Sequence, residues 1–191
     1  MSKQDPEASR RERNKNINWV ITIFLVTIVI SGTISFLSDI LMENSSMWVA
    51  FLILLAIILI GIVFDIIGMA VATADEKPFH AMAARKVPGA KEAIRLLRNA
   101  ERVSSICNDV VGDICGVVSG SASATIAVQI LRNFDFSVPQ LISLLMSALA
   151  AGLTVGGKAI GKSFAVNSCT EIVHTVGKII YWFRCKPKEK K

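Results

Sequence analysis

Asp65, Asp109, Asp113 and Lys158 stand in or at the edges of long apolar stretches of a 191-residue chain. An ionised side chain at bilayer depth costs about 3 kcal/mol on insertion scales, so each of the four calls for an internal partner or a water-filled cavity. Two chemistries fit. Asp65, Asp109 and Asp113, with the amide of Asn108, are oxygen ligands of the kind that suit a hard cation such as Mg2+. Alternatively, the Lys158 ammonium lies beside Asp65 or Asp113, neutralises it and fills the space of a cation. The residues favour the ion pair somewhat over open metal ligation.

Asp109, Gly112, Asp113, Gly116 and Gly120 recur at helical spacing. Glycines at such intervals allow close helix packing, so the acids on that stripe are expected to point into a helical bundle. Gly152 with Gly156, or Gly157 with Gly161, offers a matching small stripe further on. No Ser, His, Asp or Cys, His set for nucleophilic catalysis is visible, and an enzyme is not expected. His80 and His174 read as polar surface residues. Cys107, Cys115, Cys169 and Cys185 lack CxxC spacing and read as small packing residues. Gly157 to Ser163 shares only a Gly-Lys-Ser ending with phosphate-binding loops.

The elements that must position these groups are membrane helices. Hydrophobic residues make up 52% of the chain, which points to a bilayer as solvent. Ile17 to Ser38 and Ser45 to Phe64 carry no charge, and each is near the roughly 20 residues of a spanning helix. Ser137 to Gly157 is a third such run, and Val103 to Leu131 is a fourth, interrupted by Asn108, Asp109 and Asp113. The expected fold is therefore an all-α integral membrane protein with about four transmembrane helices.

The basic residues set the expected orientation. Five precede the first span, seven lie between the second and third, eight run from Lys158 onward, and only Arg132 falls in an outer connection. The positive-inside rule puts both termini in the cytoplasm of a multi-pass cell-membrane protein. Outer connections are then Met42 to Ser46 and Arg132 to Phe136. The net charge of +6 belongs to this asymmetry, and no nucleic acid is expected.

Residues 1–16 read as a basic cytoplasmic tail and 17–42 as an N-terminal transmembrane helix. Pro88 opens a helix with Ala90, Ala93, Ile94 and Leu97 on one face and Lys91, Arg95 and Arg98 on others, an amphipathic juxtamembrane element. Ile172, Val173, Val176, Ile179, Ile180 and Phe183 form a second apolar stripe, with Tyr181 and Trp182 as interfacial anchors. Residues 185–191 are a basic tail.

From roughly Phe64 to Phe183 the chain resembles the transmembrane domain of the CNNM (cyclin-M) and CorC/CorB magnesium transporters. His80 to Arg102, with its Gly-Ala pair before a basic helix and its Asn-Ala-Glu-Arg turn, is similar to the family's juxtamembrane helices. Gly157 to Val166 is similar to the family's Gly-Glu-x-x-Pro-Lys-x-x-Ala segment. The resemblance implies that residues 47–184 form a three-span domain with a juxtamembrane belt and a cytoplasmic C-terminus. It also implies a homodimer that transports a divalent cation, Mg2+ or Co2+, with the helix over 17–42 as an addition. The family's nucleotide-binding CBS modules have no counterpart here, so regulation through them is not expected within this chain.

The cation site departs from the family pattern. Where a Ser-Gly-Ser-Glu run is expected stand Asp65, Ile66, Ile67 and Gly68. The Gly-Asn-Asn turn falls on Val110, Val111 and Gly112, with Asn108 and Asp109 one turn away. The glutamate of the Gly-Glu pair is Lys158, a reversal of charge, and the proline before Lys162 is Gly161. Two readings stay open: a divergent transporter with a relocated site at Asp65, Asn108, Asp109 and Asp113, or a non-transporting module in which Lys158 replaces the cation. The second would bind a separate cytoplasmic partner through its bundle and basic belt.

Overall fold

The computed structural model describes residues 6–43, 45–133 and 139–185. Most of the outer connection Arg132 to Phe136 and the tail from Lys186 therefore lie outside the described residues. Among the described residues eight α-helices and one π-helical turn follow in order: α1 (Pro6–Glu43), α2 (Met47–Thr73), α3 (Lys77–Ala84), α4 (Ala90–Arg98), α5 (Ala100–Ser105), the π turn (Ile106–Gly112), α6 (Asp113–Asn133), α7 (Pro139–Asn167) and α8 (Cys169–Cys185). No strand occurs among the described residues. Four helical stretches are long and apolar enough to cross a membrane: Trp19–Met42, Met47–Thr73, Ala100–Arg132 and Gln140–Asn167. The protein is an all-α membrane protein with four candidate spans.

The first described helix runs from Pro6, so residues 6–16 of the expected cytoplasmic tail are helical and continuous with the first span. Proline suits that place because a first-turn N–H has no helical acceptor to lose. The helix touches the bundle along one narrow stripe, Ile23, Thr27, Ser31, Ser35, Ser38 and Met42, buried or half-buried at three- and four-residue steps. It is pinned at both ends. The Arg102 guanidinium lies 5.2 Å from the Trp19 ring centroid, and Gln129 Nε2 donates to the Met42 carbonyl at 2.7 Å. Between them Ile23 packs on Val110, Ile114 and Val118.

The central helix is α2. Its buried Ala50, Leu54 and Ile58 join Ala122, Ile126, Ala127 and Met146 in one cluster, so α6 and α7 pack both against it and against each other. Its other end, Ala70 and Val71, joins Phe79, Ala93, Leu97, Ala165 and Val173 in a second cluster. The short helices α3, α4 and α8 thus form a belt at one end of the spans. The expected amphipathic helix is α4, with Ala90, Ala93 and Leu97 buried and Lys91, Arg95 and Arg98 exposed. In α8 Val173 is buried, while Ile179 and Phe183 stay exposed at 52% and 70%. Those two side chains of the expected stripe therefore face away from the protein.

Glycine matters where α8 crosses the start of α4. A Cβ at Gly177 would meet the Gly89 carbonyl oxygen at 2.6 Å, and one at Gly89 would meet Lys178 backbone nitrogen at the same distance. The turn before it is less usual. Val87 N–H donates to Met82 O and Lys86 N–H to Ala83 O, both at 3.0 Å, the paired bonds of a Schellman helix end. The residue that must be left-handed there is Lys86, at φ 57°, where glycine would carry no Cβ penalty.

Lys86→Gly should accordingly raise the stability of the detergent-solubilised chain by up to about 1 kcal/mol. Gly177→Ala should lower it by about 1–3 kcal/mol through overpacking. Thermal unfolding followed by static light scattering or intrinsic fluorescence reads both. A Gly177→Ala protein that melts with the wild type would rule out the close α4–α8 approach.

Candidate functional site

Three segments meet around Asp65. It lies on α2 between Ile62 and Ile66, and α7 reaches those two isoleucines through glycines. A Cβ at Gly157 would stand 2.2 Å from Ile62 Cδ1, and one at Gly161 would stand 2.8 Å from Ile66 Cγ1. Of the two small stripes expected in the fourth span, Gly157 and Gly161 make the helix contact. Gly152 and Gly156 have open space around them. Because Lys158 follows Gly157 directly, its side chain enters beside Asp65.

The third segment is the π turn, which faces the same part of α2. A Cβ at Gly68 would meet Asn108 Oδ1 at 2.2 Å, and one at Gly61 would meet Cys115 Cβ at 2.8 Å. The two helices are thus separated by less than an alanine's width at two levels. Gly112, at the end of the π turn, presents its carbonyl to the gap. Single π turns inside helices change the phase of the side chains and recur at functional positions.

Lys158 Nζ lies 3.6 Å from Asp65 Oδ1 and donates to Gly112 O at 3.3 Å. Both distances exceed the 2.7–2.9 Å or so of a close charge-assisted hydrogen bond, so one ammonium bridges two acceptors. The Asp65 side chain is only 6% exposed and that of Lys158 20%. Asp65 Oδ2 and Asn108 Oδ1 are both buried without a hydrogen-bond partner. The Asn108 amide nitrogen is used, donating to Ser104 Oγ at 3.2 Å.

Asp109 and Asp113 do not join this group. Both are exposed, as is Gly120, whereas Asn108 is half-buried and Gly112 is buried. Apart from the surrounding backbone of its own helix, a Cβ placed at Gly116 or Gly120 meets nothing within 4 Å among the described residues. The expectation that the acids and these glycines point into the bundle is corrected by about one residue of phase. The seam toward α2 runs through Gly112, Cys115, Ser119, Ala122, Ser123 and Ile126. Serines can take that place because Ser119 and Ser123 donate to the carbonyls of Gly116 and Gly120, at 2.9 and 2.8 Å, and so pack as small, satisfied side chains.

Among the described residues no group of three or more His, Cys, Asp or Glu is placed to hold a metal. Asp65 and Asn108 are the two members of the expected ligand set brought together, and Lys158 stands with them. His80 accompanies Glu76 at 3.2 Å on the surface. His174 is not a plain surface residue, since its Nε2 is buried and unpartnered. Cys107, Cys115 and Cys169 are free thiols. Gln129, which holds the end of α1, was the site-like residue least marked in the sequence; its signal is an amide in an otherwise apolar stretch.

No protein-family model, curated protein or solved structure matches the chain. What the geometry defines is a membrane-helix bundle with an internal, electrically neutral Asp65–Lys158 pair.

Removing one partner of a buried pair strands the other. Lys158→Ala should cost about 3 kcal/mol of stability in detergent. The double variant Asp65→Asn with Lys158→Met, which removes both charges, should recover most of that loss. Thermal melts of the wild type, the single and the double variant test it, and a Lys158→Ala protein that melts unchanged would exclude a stabilising pair.

Proposed function

We propose that this chain is a non-transporting membrane module, related in architecture to the CNNM/CorC transmembrane domain, in which the Lys158 ammonium takes the place of a bound divalent cation. The observation that carries this reading is Lys158 Nζ at 3.6 Å from Asp65 Oδ1 and 3.3 Å from Gly112 O. An ammonium there cancels the charge of the buried Asp65 carboxylate and repels a second cation at short range. The role left for the bundle is to bind a partner. The exposed Asp109, Asp113 and Gly120 face of α6 supports that role, since carboxylates in a spanning segment call for a counterpart. A second copy of the chain, as in the homodimers of that family, is one such counterpart, and a cytoplasmic protein on the basic belt is another.

We place the protein in the cell membrane with both termini cytoplasmic, on the strength of the lysine and arginine asymmetry. The role is not enzymatic. The transport reading is kept for one reason: Asp65 Oδ2 and Asn108 Oδ1 are unpaired buried acceptors, and oxygens of that kind suit Mg2+ or Co2+. It requires Lys158 to move aside.

Proteoliposomes loaded with a Mg2+-sensitive dye separate the two readings. Wild-type protein is expected to give no flux above that of protein-free vesicles. Flux that is present in the wild type and lost in Asp65→Asn would establish transport and remove the module reading.

A further inference from the structure

Away from the Asp65 site, the belt contains a cavity of about 460 Å³ lined by the α3–α4 turn, the first turn of α4 and Tyr181 of α8. Its charged lining is Lys86, Lys91 and Glu92, two positive charges against one negative, which leaves a net charge of +1. The close Gly89–Gly177 crossing brings α8 over the start of α4, and Tyr181 follows Gly177 by one helical turn. Trp182 and Phe183 come next, exposed at 56% and 70% and packed edge to face with ring centroids 5.3 Å apart. The belt follows the ends of α2 and α7, so a basic cavity and two exposed aromatic rings share the rim of the spanning region. Aromatic rings at such a rim sit among lipid headgroups.

Lys86 adds a second line of argument. It occupies the left-handed position of the helix end, where glycine would close the same turn with less strain. Folding alone gives no reason for a lysine there. It is exposed and lines the cavity together with Lys91, and an ammonium is what glycine could not supply.

We propose that this cavity binds a singly charged phosphate ester, the headgroup phosphate of an anionic phospholipid. A net charge of +1 matches a phosphodiester monoanion. It favours a net-anionic headgroup over a zwitterionic one, whose own ammonium would face two lysines against the one carboxylate of Glu92. The site is independent of the Asp65–Lys158 pair and of the transport question.

The test uses the full chain in detergent, with native mass spectrometry counting retained lipid after addition of phosphatidylglycerol or phosphatidylcholine. The variant carries Lys86→Gly with Lys91→Gln, and the glycine substitution keeps or improves the fold of the turn, which a thermal melt verifies. Wild-type protein is expected to retain phosphatidylglycerol roughly tenfold better than phosphatidylcholine, and the variant to lose most of that preference. Equal retention of the two lipids by the wild type overturns the proposal. So does an undiminished preference in a variant that melts normally, because the binding would then belong to other basic residues. Inorganic phosphate is the soluble arm. If it displaces phosphatidylglycerol from the wild type at millimolar concentration, the site is a phosphate site open to soluble ligands. Failure to displace it assigns the site to the lipid.

Discussion

The seam between α2, the π turn and α7 leaves no room for side chains at Gly68, Gly157 or Gly161, and this close approach is what surrounds Asp65 with protein. A carboxylate in a spanning helix is tolerated when something inside the bundle answers its charge. Only a long cationic side chain starting on a neighbouring helix can do so without opening the seam. Lys158 meets that condition because Gly157 lets its backbone come close to Ile62, while its four-carbon stem spans the remaining distance. Its 20% exposure fits an amphipathic side chain whose methylenes lie along apolar surface. Packing and electrostatics are therefore one constraint here: widening the seam at Gly157 or Gly161 would also pull the ammonium away from its acceptors.

The same geometry explains the division of labour along α6. One face is spent on small residues that let α2 approach, and a second, carrying Val110, Ile114 and Val118, receives Ile23 of α1 together with Ile57 of α2. The face with Asp109, Asp113 and Gly120 is left uncovered. The first helix adds little to the core: none of its most hydrophobic window is buried, against 39% of that in the Ala100–Arg132 span. It behaves as a helix laid on a completed three-span bundle and held by contacts at its two ends.

Features that follow from bulk physical properties were legible in the sequence. The uncharged runs mark spans because the bilayer excludes charge over a fixed thickness, and Ala90, Ala93, Ile94 and Leu97 mark α4 because a surface helix must bury one stripe. Which acid meets Lys158 was not legible. Asp65 and Asp113 were equal candidates by composition, and the choice depends on the rotation of α6 about its axis. That rotation is set by the packing of small residues, and Ser119 and Ser123, with their hydroxyls returned to their own helix, compete with glycine for the interface. A stripe counted on glycines alone therefore came out one residue out of phase. The π turn leaves no mark in residue type. Lys86 in a left-handed turn was hidden for a related reason, since the sequence signal for such a turn is glycine or asparagine.

Charge arithmetic links the internal site to the two exposed acids. Inside the bundle Asp65 and Lys158 sum to zero, so a divalent ion entering there would find dipolar oxygens but no net attraction to offset the loss of its hydration shell. Asp109 and Asp113 are both exposed, on a face of the π turn and α6 that is turned away from the pair. They can attract only what approaches that face from outside the bundle. A chain that held its acids in common would concentrate charge for an ion, whereas this one neutralises the inner acid and displays the outer two. Among the described residues the electrostatic asymmetry of this region thus lies on the exposed face that carries Asp109 and Asp113, while the buried pair is balanced.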